Sequence, residues 1–111
     1  MTKDLGKTST GMQPNIAALL SYVLGFITGT IFYLIEKENK FERFHAMQAI
    51  ITFAALFVLQ IFLGFIPVIG LILLPLVSIA SLILWIVLMV KAYQGEKFKL
   101  PVVGDIAEKQ I

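Results

Sequence analysis

From residue 44 to residue 90 the chain carries no formally charged residue. Crossing the roughly 30 Å hydrocarbon core of a bilayer takes about 20 apolar residues in a helix, so this run suffices for two crossings joined by a tight turn. A second uncharged stretch, residues 16–35, has the length for one more. Hydrophobic residues make up 59% of the 111. A water-soluble chain this short buries only about 60–70% of its surface on folding, which would leave large apolar patches exposed. The sequence therefore predicts an all-α integral membrane bundle of three transmembrane helices.

Punctuation residues divide the chain. Pro14 suits the first turn of a helix, and residues 1–13, with Lys3, Asp4 and Lys7 among Thr, Ser and Gly, read as a flexible polar N-terminal tail. Pro67 and Gly70 are helix stop and start signals. They place the spans at about 16–35, 46–66 and 71–90 within a membrane domain of residues 14–93. Pro75 is expected to kink the third helix. Residues 94–111 form a cytoplasmic or interfacial tail, in which residues 100–107 keep enough apolar character to lie at the membrane surface. The first apolar stretch is too long for a signal-peptide core of about 7–15 residues.

Cations set the expected orientation, because Lys and Arg accumulate on the cytoplasmic side. With three spans, Lys3 and Lys7 fall on one side. Lys37, Lys40, Arg43, Lys91, Lys97, Lys99 and Lys109 fall on the other. This distribution predicts a multi-pass protein of the cell membrane with its N-terminus outside and its C-terminus in the cytoplasm.

Few polar positions lie inside the apolar runs. Gly25 and Gly29 have the Gly-x-x-x-Gly spacing that lets helices approach closely. On the third span Ser78 and Ser81 share a face with Trp85, so Gly25, Gly29, Ser78 and Ser81 are the expected helix-packing positions. Along the second span Gln48, Thr52 and Gln60 form a polar intramembrane face with His45. Unpaired amides at membrane depth cost a few kcal/mol, so that face should point into the bundle or into a wet cavity. His45 is the one histidine, at the membrane boundary beside Arg43. Residues 36–43 balance three acids against three bases and read as a solvated connector, with Glu36 and Lys40 spaced for an ion pair.

Several functional classes have nothing to build on. There is no cysteine, and the net charge is only +2 without a basic run, so no thiol chemistry and no nucleic-acid footprint is expected. No catalytic set, phosphate loop or metal-ligand spacing is present. No enzyme activity, cofactor or metal is expected.

The segments Asn15-Ile-Ala-Ala-Leu-Leu-Ser-Tyr22, Arg43-Phe-His-Ala-Met-Gln48 and Leu100-Pro-Val-Val-Gly104 resemble a family of small prokaryotic multi-pass membrane proteins. That family is grouped with the Tic-type import component of the chloroplast inner envelope. The resemblance covers nearly all the chain after Gln13 and marks Arg43, His45 and Gln48 as family positions. It implies a multi-helix membrane fold and, for the plastid relatives, a part in protein import. The plastid proteins have four helices where three are counted here.

The sequence thus favours a non-enzymatic membrane protein that associates through its helices with itself or with another membrane protein. A transporter or translocation component, with a polar path formed by an oligomer, is the alternative. A third reading is a lipid-binding membrane protein, with Lys91, Lys97 and Lys99 near anionic head groups.

Overall fold

Gly25 decides the architecture. Its backbone adopts φ +62°, a conformation that side-chain-bearing residues rarely take, and it divides the first apolar stretch into two helices. The computed structural model describes residues 6–110. Its helices are α1 (Pro14–Val23), α2 (Phe26–Ile35), α3 (Lys40–Gly64), α4 (Pro67–Tyr93) and α5 (Val103–Lys109). The described residues form no strand.

Two helices, α3 and α4, are long and apolar enough to cross a membrane. At about 1.5 Å per residue they measure roughly 37 and 40 Å. Most of the apolar stretch of α3 and nearly all of that of α4 is uncovered, which is not how a core helix of a soluble protein sits. Phe65 and Ile66 turn the chain between them, and Pro67 takes the first helical position of α4. The helix then runs unbroken through Pro75.

The expected first span is not one helix. At ten residues each, α1 and α2 are roughly 15 Å long, half the hydrocarbon thickness, and the chain doubles back at Leu24 and Gly25. The N–H of Ser9, before α1, donates to both carboxylate oxygens of Glu36, after α2. Asn39 Nδ2 donates to the Lys7 carbonyl. The two outer ends of the α1–α2 hairpin therefore lie together. Asn15 Nδ2 reaches the Tyr93 carbonyl and Trp85 Nε1 the Tyr22 carbonyl, so α1 runs antiparallel to α4 from the end where α4 finishes.

This corrects the three-span topology and removes the premise of opposite-sided termini. The described charged residues, Lys7, those of 36–43 and those of 91–109, sit at one end of the molecule, and the Phe65–Ile66 turn at the other end is uncharged. Lys3 and Asp4 lie outside the described residues. Lys7 and Ser9, expected in a free tail, are held against the α2–α3 connector.

Small residues let the layers close up. Ala18, Ala49 and Ala92 are fully buried with Tyr22 and Leu88, and Phe41, Phe53, Trp85 and Met89 pack around them. Gly29 meets α3 so closely that an added Cβ would lie 2.9 Å from the Ala46 carbonyl oxygen and 3.0 Å from Ala49 Cβ. The closeness expected of Gly29 is thus a contact within the chain. Gly25, at the head of α2, backs onto Phe53 instead, so the two glycines do not share one continuous helix. Replacing Gly29 with alanine should lower stability by about 1–3 kcal/mol through overpacking; thermal unfolding in detergent followed by circular dichroism measures it.

Candidate functional site at the polar end

Three side chains from two helices form one hydrogen-bonded line. His45 and Gln48 on α3 and Tyr22 on α1 are fully buried. His45 Nε2 lies 2.8 Å from the Glu96 carbonyl oxygen, which can only accept, so this nitrogen carries a hydrogen. In the neutral ring Nδ1 is then an acceptor, and the Tyr22 hydroxyl, 2.7 Å away, donates to it. Gln48 Nε2 in turn donates to the Tyr22 oxygen at 2.9 Å and to the Phe98 carbonyl at 2.9 Å. Gln48 Oε1 accepts from Leu100 N–H at 3.0 Å. The donors and acceptors are all used, and the segment between α4 and α5 is bound to the bundle through its backbone.

Beside this line sits the turn between α2 and α3. Glu36 has no solvent-accessible surface and accepts from the N–H groups of Ser9, Glu38 and Asn39 and from the Ser9 hydroxyl. Burial acts to raise its carboxyl; those hydrogen bonds outweigh it and hold the group below the usual carboxylate range. Arg43 donates to the Tyr33 and Glu36 carbonyls and lies 4.1 Å over the Tyr33 ring. It thereby covers the C-terminal carbonyls of α2, where a cation is favoured.

Asn39 caps α3 by accepting from Glu42 N–H. In a capping box the residue at the Glu42 position returns the bond to the cap's own N–H. Here Glu36 occupies that N–H, and the Glu42 side chain turns inward to Ser21, with Oε1 2.9 Å from Ser21 Oγ. Glu42 is fully buried.

The ends of α5 are tied differently. Lys97 and Lys99 hold Glu108, whose carboxyl their hydrogen bonds push down to about 2; Lys99 also pairs with Asp105. These pairs are exposed and contribute little. Tyr33 OH reaches the Gln110 carbonyl. The segment expected at the interface forms α5, which packs on α3 and is tied to α2 through Tyr33.

The expected positions separate into groups. Arg43, His45 and Gln48 come together at the polar end. Thr52, one turn deeper, is buried, and its hydroxyl has no partner. Gln60 lies apart, half-buried beside Ser81 in a cleft of about 260 Å³ at the tip of the α1–α2 hairpin, with Leu24, Gly25, Phe26, Phe53, Leu56 and Phe57. Ser78 is exposed on α4 and so is not in the packed surface expected of it. Tyr22, Ser21, Glu36 and Glu42 were missed as site residues. Asn39 followed three residues later by Glu42 is a cap signature and was the signal for an ordered turn; the expected Glu36–Lys40 pair is not among the ion pairs of the described residues.

Two apolar helices of membrane-crossing length, a half-depth helical hairpin against them and charges gathered at one end define a helical membrane protein. The chain belongs to the family described as the magnetosome magnetite crystal formation protein family, whose model matches residues 8–107. Its relatives include a UPF0132 membrane protein of Methanocaldococcus jannaschii, 59% identical over 95% of this chain and 94% of the relative. A UPF0132 membrane protein of Archaeoglobus fulgidus is 58% identical over 90% of this chain and 97% of the relative. No solved structure matches the chain. The grouping with the chloroplast import component finds no support in these matches, which place the chain among membrane proteins of archaea and a magnetosome-associated family.

Glu36 generates a pH prediction. A carboxyl held below its ordinary value of 4.5 stabilises the fold at pH above that value, and the contribution is lost as pH falls through the lower value of the folded state. Glu36→Gln should cost about 1–3 kcal/mol at neutral pH. Its deficit against the native protein should close on acidification below the ordinary carboxylate range; unfolding midpoints measured across pH check this.

Proposed function

We propose that this protein acts without chemistry of its own, as a membrane protein that associates laterally with a second copy or with another membrane protein. The contact is the part of the α3–α4 hairpin that α1 and α2 leave uncovered. One observation carries the reading: Gln60 stands at the edge of that uncovered part with a side-chain amide that has no hydrogen-bond partner among the described residues, and the buried Ser81 hydroxyl beside it also lacks one. Amides at membrane depth are stabilised by pairing across helices. The surrounding surface, with Phe57, Phe62 and Leu71 exposed, is apolar enough to meet either lipid or another helix.

A translocation path formed by an oligomer draws less support, because His45 and Gln48 have no free hydrogen-bonding group to offer a passing solute. Lipid binding has a specific feature in its favour. A groove of about 530 Å³ between α1 and α4 is lined by Leu19, Ile86, Met89, Val90, Tyr93 and Gln94, apolar along its length with amide and hydroxyl groups at the charged end. The role in magnetite crystal formation is the family's description; what carries over from the relatives is membrane residence, which their names state.

The orientation belongs to the same proposal. With α3 and α4 as the two crossings and the α1–α2 hairpin re-entrant, the cations of the described residues share one face of the membrane. By the positive-inside tendency both termini are cytoplasmic and the protein resides in the cell membrane. Reporters active only in the cytoplasm should give signal when fused to either end, and a reporter inserted at Phe65 should be silent there. Crosslinking between copies in native membranes, or to one defined partner, should fall about threefold with Gln60→Leu, the value of one interhelical amide bond of about 0.6 kcal/mol. Unchanged crosslinking would remove Gln60 from the contact.

A further inference from the structure

We infer that Glu42 is a buried proton-binding site, present as the neutral carboxylic acid that donates its hydrogen to Ser21 Oγ. The inference goes beyond lateral association and does not depend on it. It rests on a count of hydrogens. Ser21 Oγ lies 3.0 Å from the Ala17 carbonyl oxygen and 2.9 Å from Glu42 Oε1. A serine hydroxyl has one hydrogen, and both neighbours would need it if Glu42 were a carboxylate. With the proton on Glu42 Oε1 the line closes: Glu42 donates to Ser21, and Ser21 donates to Ala17.

Three further observations point the same way. Glu42 and Ser21 have no solvent-accessible surface. Glu42 Oε2 is buried without a partner, which a neutral carbonyl oxygen tolerates far better than half of a carboxylate. No cation among the described residues pairs with Glu42. The charges that act on Glu42 are Glu36 from the connector and Arg43 on its own helix; Arg43 is committed to the Tyr33 and Glu36 carbonyls, and Glu42 is in none of the ion pairs of the described residues. Its hydrogen-bond partner on α1 is Ser21, which in turn reaches the Ala17 carbonyl. His45, on the same helix, is occupied by Tyr22 and Glu96.

The site has a consequence for the bundle. Removing the proton leaves a charge between α1 and α3 without an ion-pair partner, and the single Ser21 hydrogen must then serve either that carboxylate or the Ala17 carbonyl. Proton occupancy and the seating of the half-depth hairpin are therefore coupled at this point, on the same side of the membrane as the charged end.

Infrared difference spectroscopy of the folded protein in detergent at pH 7, native against Glu42→Gln, tests the assignment. The native protein should show the carbonyl band of a protonated carboxylic acid, absent in Glu42→Gln, and Ser21→Ala should shift that band as its hydrogen-bond acceptor is lost. Dicyclohexylcarbodiimide, which attacks protonated carboxyls in apolar surroundings, should label the native chain at Glu42, located by peptide mass spectrometry. It should leave position 42 of Glu42→Gln unlabelled. A native protein with neither the band nor the label at neutral pH overturns the inference. A band that Ser21→Ala leaves unmoved overturns the assigned hydrogen bond. The labelling of native protein needs no variant to fold.

Discussion

A helix interrupted at membrane depth exposes backbone N–H and carbonyl groups where water is scarce, and such irregular backbone survives only where protein or a wet cavity satisfies it. The rest of this structure follows from how the break at Leu24 and Gly25 meets that demand. Thr28 Oγ1 accepts from Leu24 N–H and donates to the Ser21 carbonyl, joining the end of α1 to the start of α2. Trp85 of α4 donates to the Tyr22 carbonyl at 2.6 Å. Two side chains thus take over the bonds that a continuous helix would have made for itself, and one of them ties the hairpin to the crossing helix behind it.

The same economy operates at the charged end. There the groups needing partners are backbone carbonyls and N–H groups of the segment after α4, and side chains of α3 supply them. His45 serves Glu96, and Gln48 serves both Phe98 and Leu100. Tyr22 binds these two side chains to α1. One set of three side chains therefore fixes the crossing helix, the half-depth hairpin and the C-terminal segment relative to one another. This is why α5, a helix of seven residues that would not persist alone, is held in place.

What the sequence made legible was the material cost of burial, and what it hid was direction. Hydropathy found the two long apolar helices, although α3 begins at Lys40 and α4 at Pro67, ahead of the expected 46 and 71, because a run of apolar side chains has one low-energy solvent whatever its neighbours do. Of the expected polar face, His45, Gln48 and Thr52 likewise point inward, as the cost of a lone polar group in lipid requires. The first stretch defeated the same reasoning. Hydropathy counts residues per span and is blind to a reversal, and Gly25 was read for its lack of a side chain rather than for its access to positive φ. Once that helix doubled back, the three-span count on which the expected side of the N-terminus rested no longer held. Glu36 and Glu42 were hidden for another reason: a charged letter in a connector reads as solvated, and only the competition between two acids for one capped N–H sends Glu42 into the interior.

The reversal also divides the molecule unequally across the bilayer. In the half next to the charged end, four helical segments surround a polar core whose hydrogen bonds are nearly all made internally; in the other half, α3 and α4 stand alone with their side chains outward. Polar pairing in the first half leaves that region little to offer a partner, since a satisfied donor gains nothing by exchanging one acceptor for another. The uncovered half is the opposite case: Gln60 and Ser81 gain by any contact that pairs them, and the apolar surface around them loses nothing when a helix replaces lipid. Under the lateral association proposed above, the uncovered half is the one place for it to act, and the closed end holds the hairpin that leaves that place open.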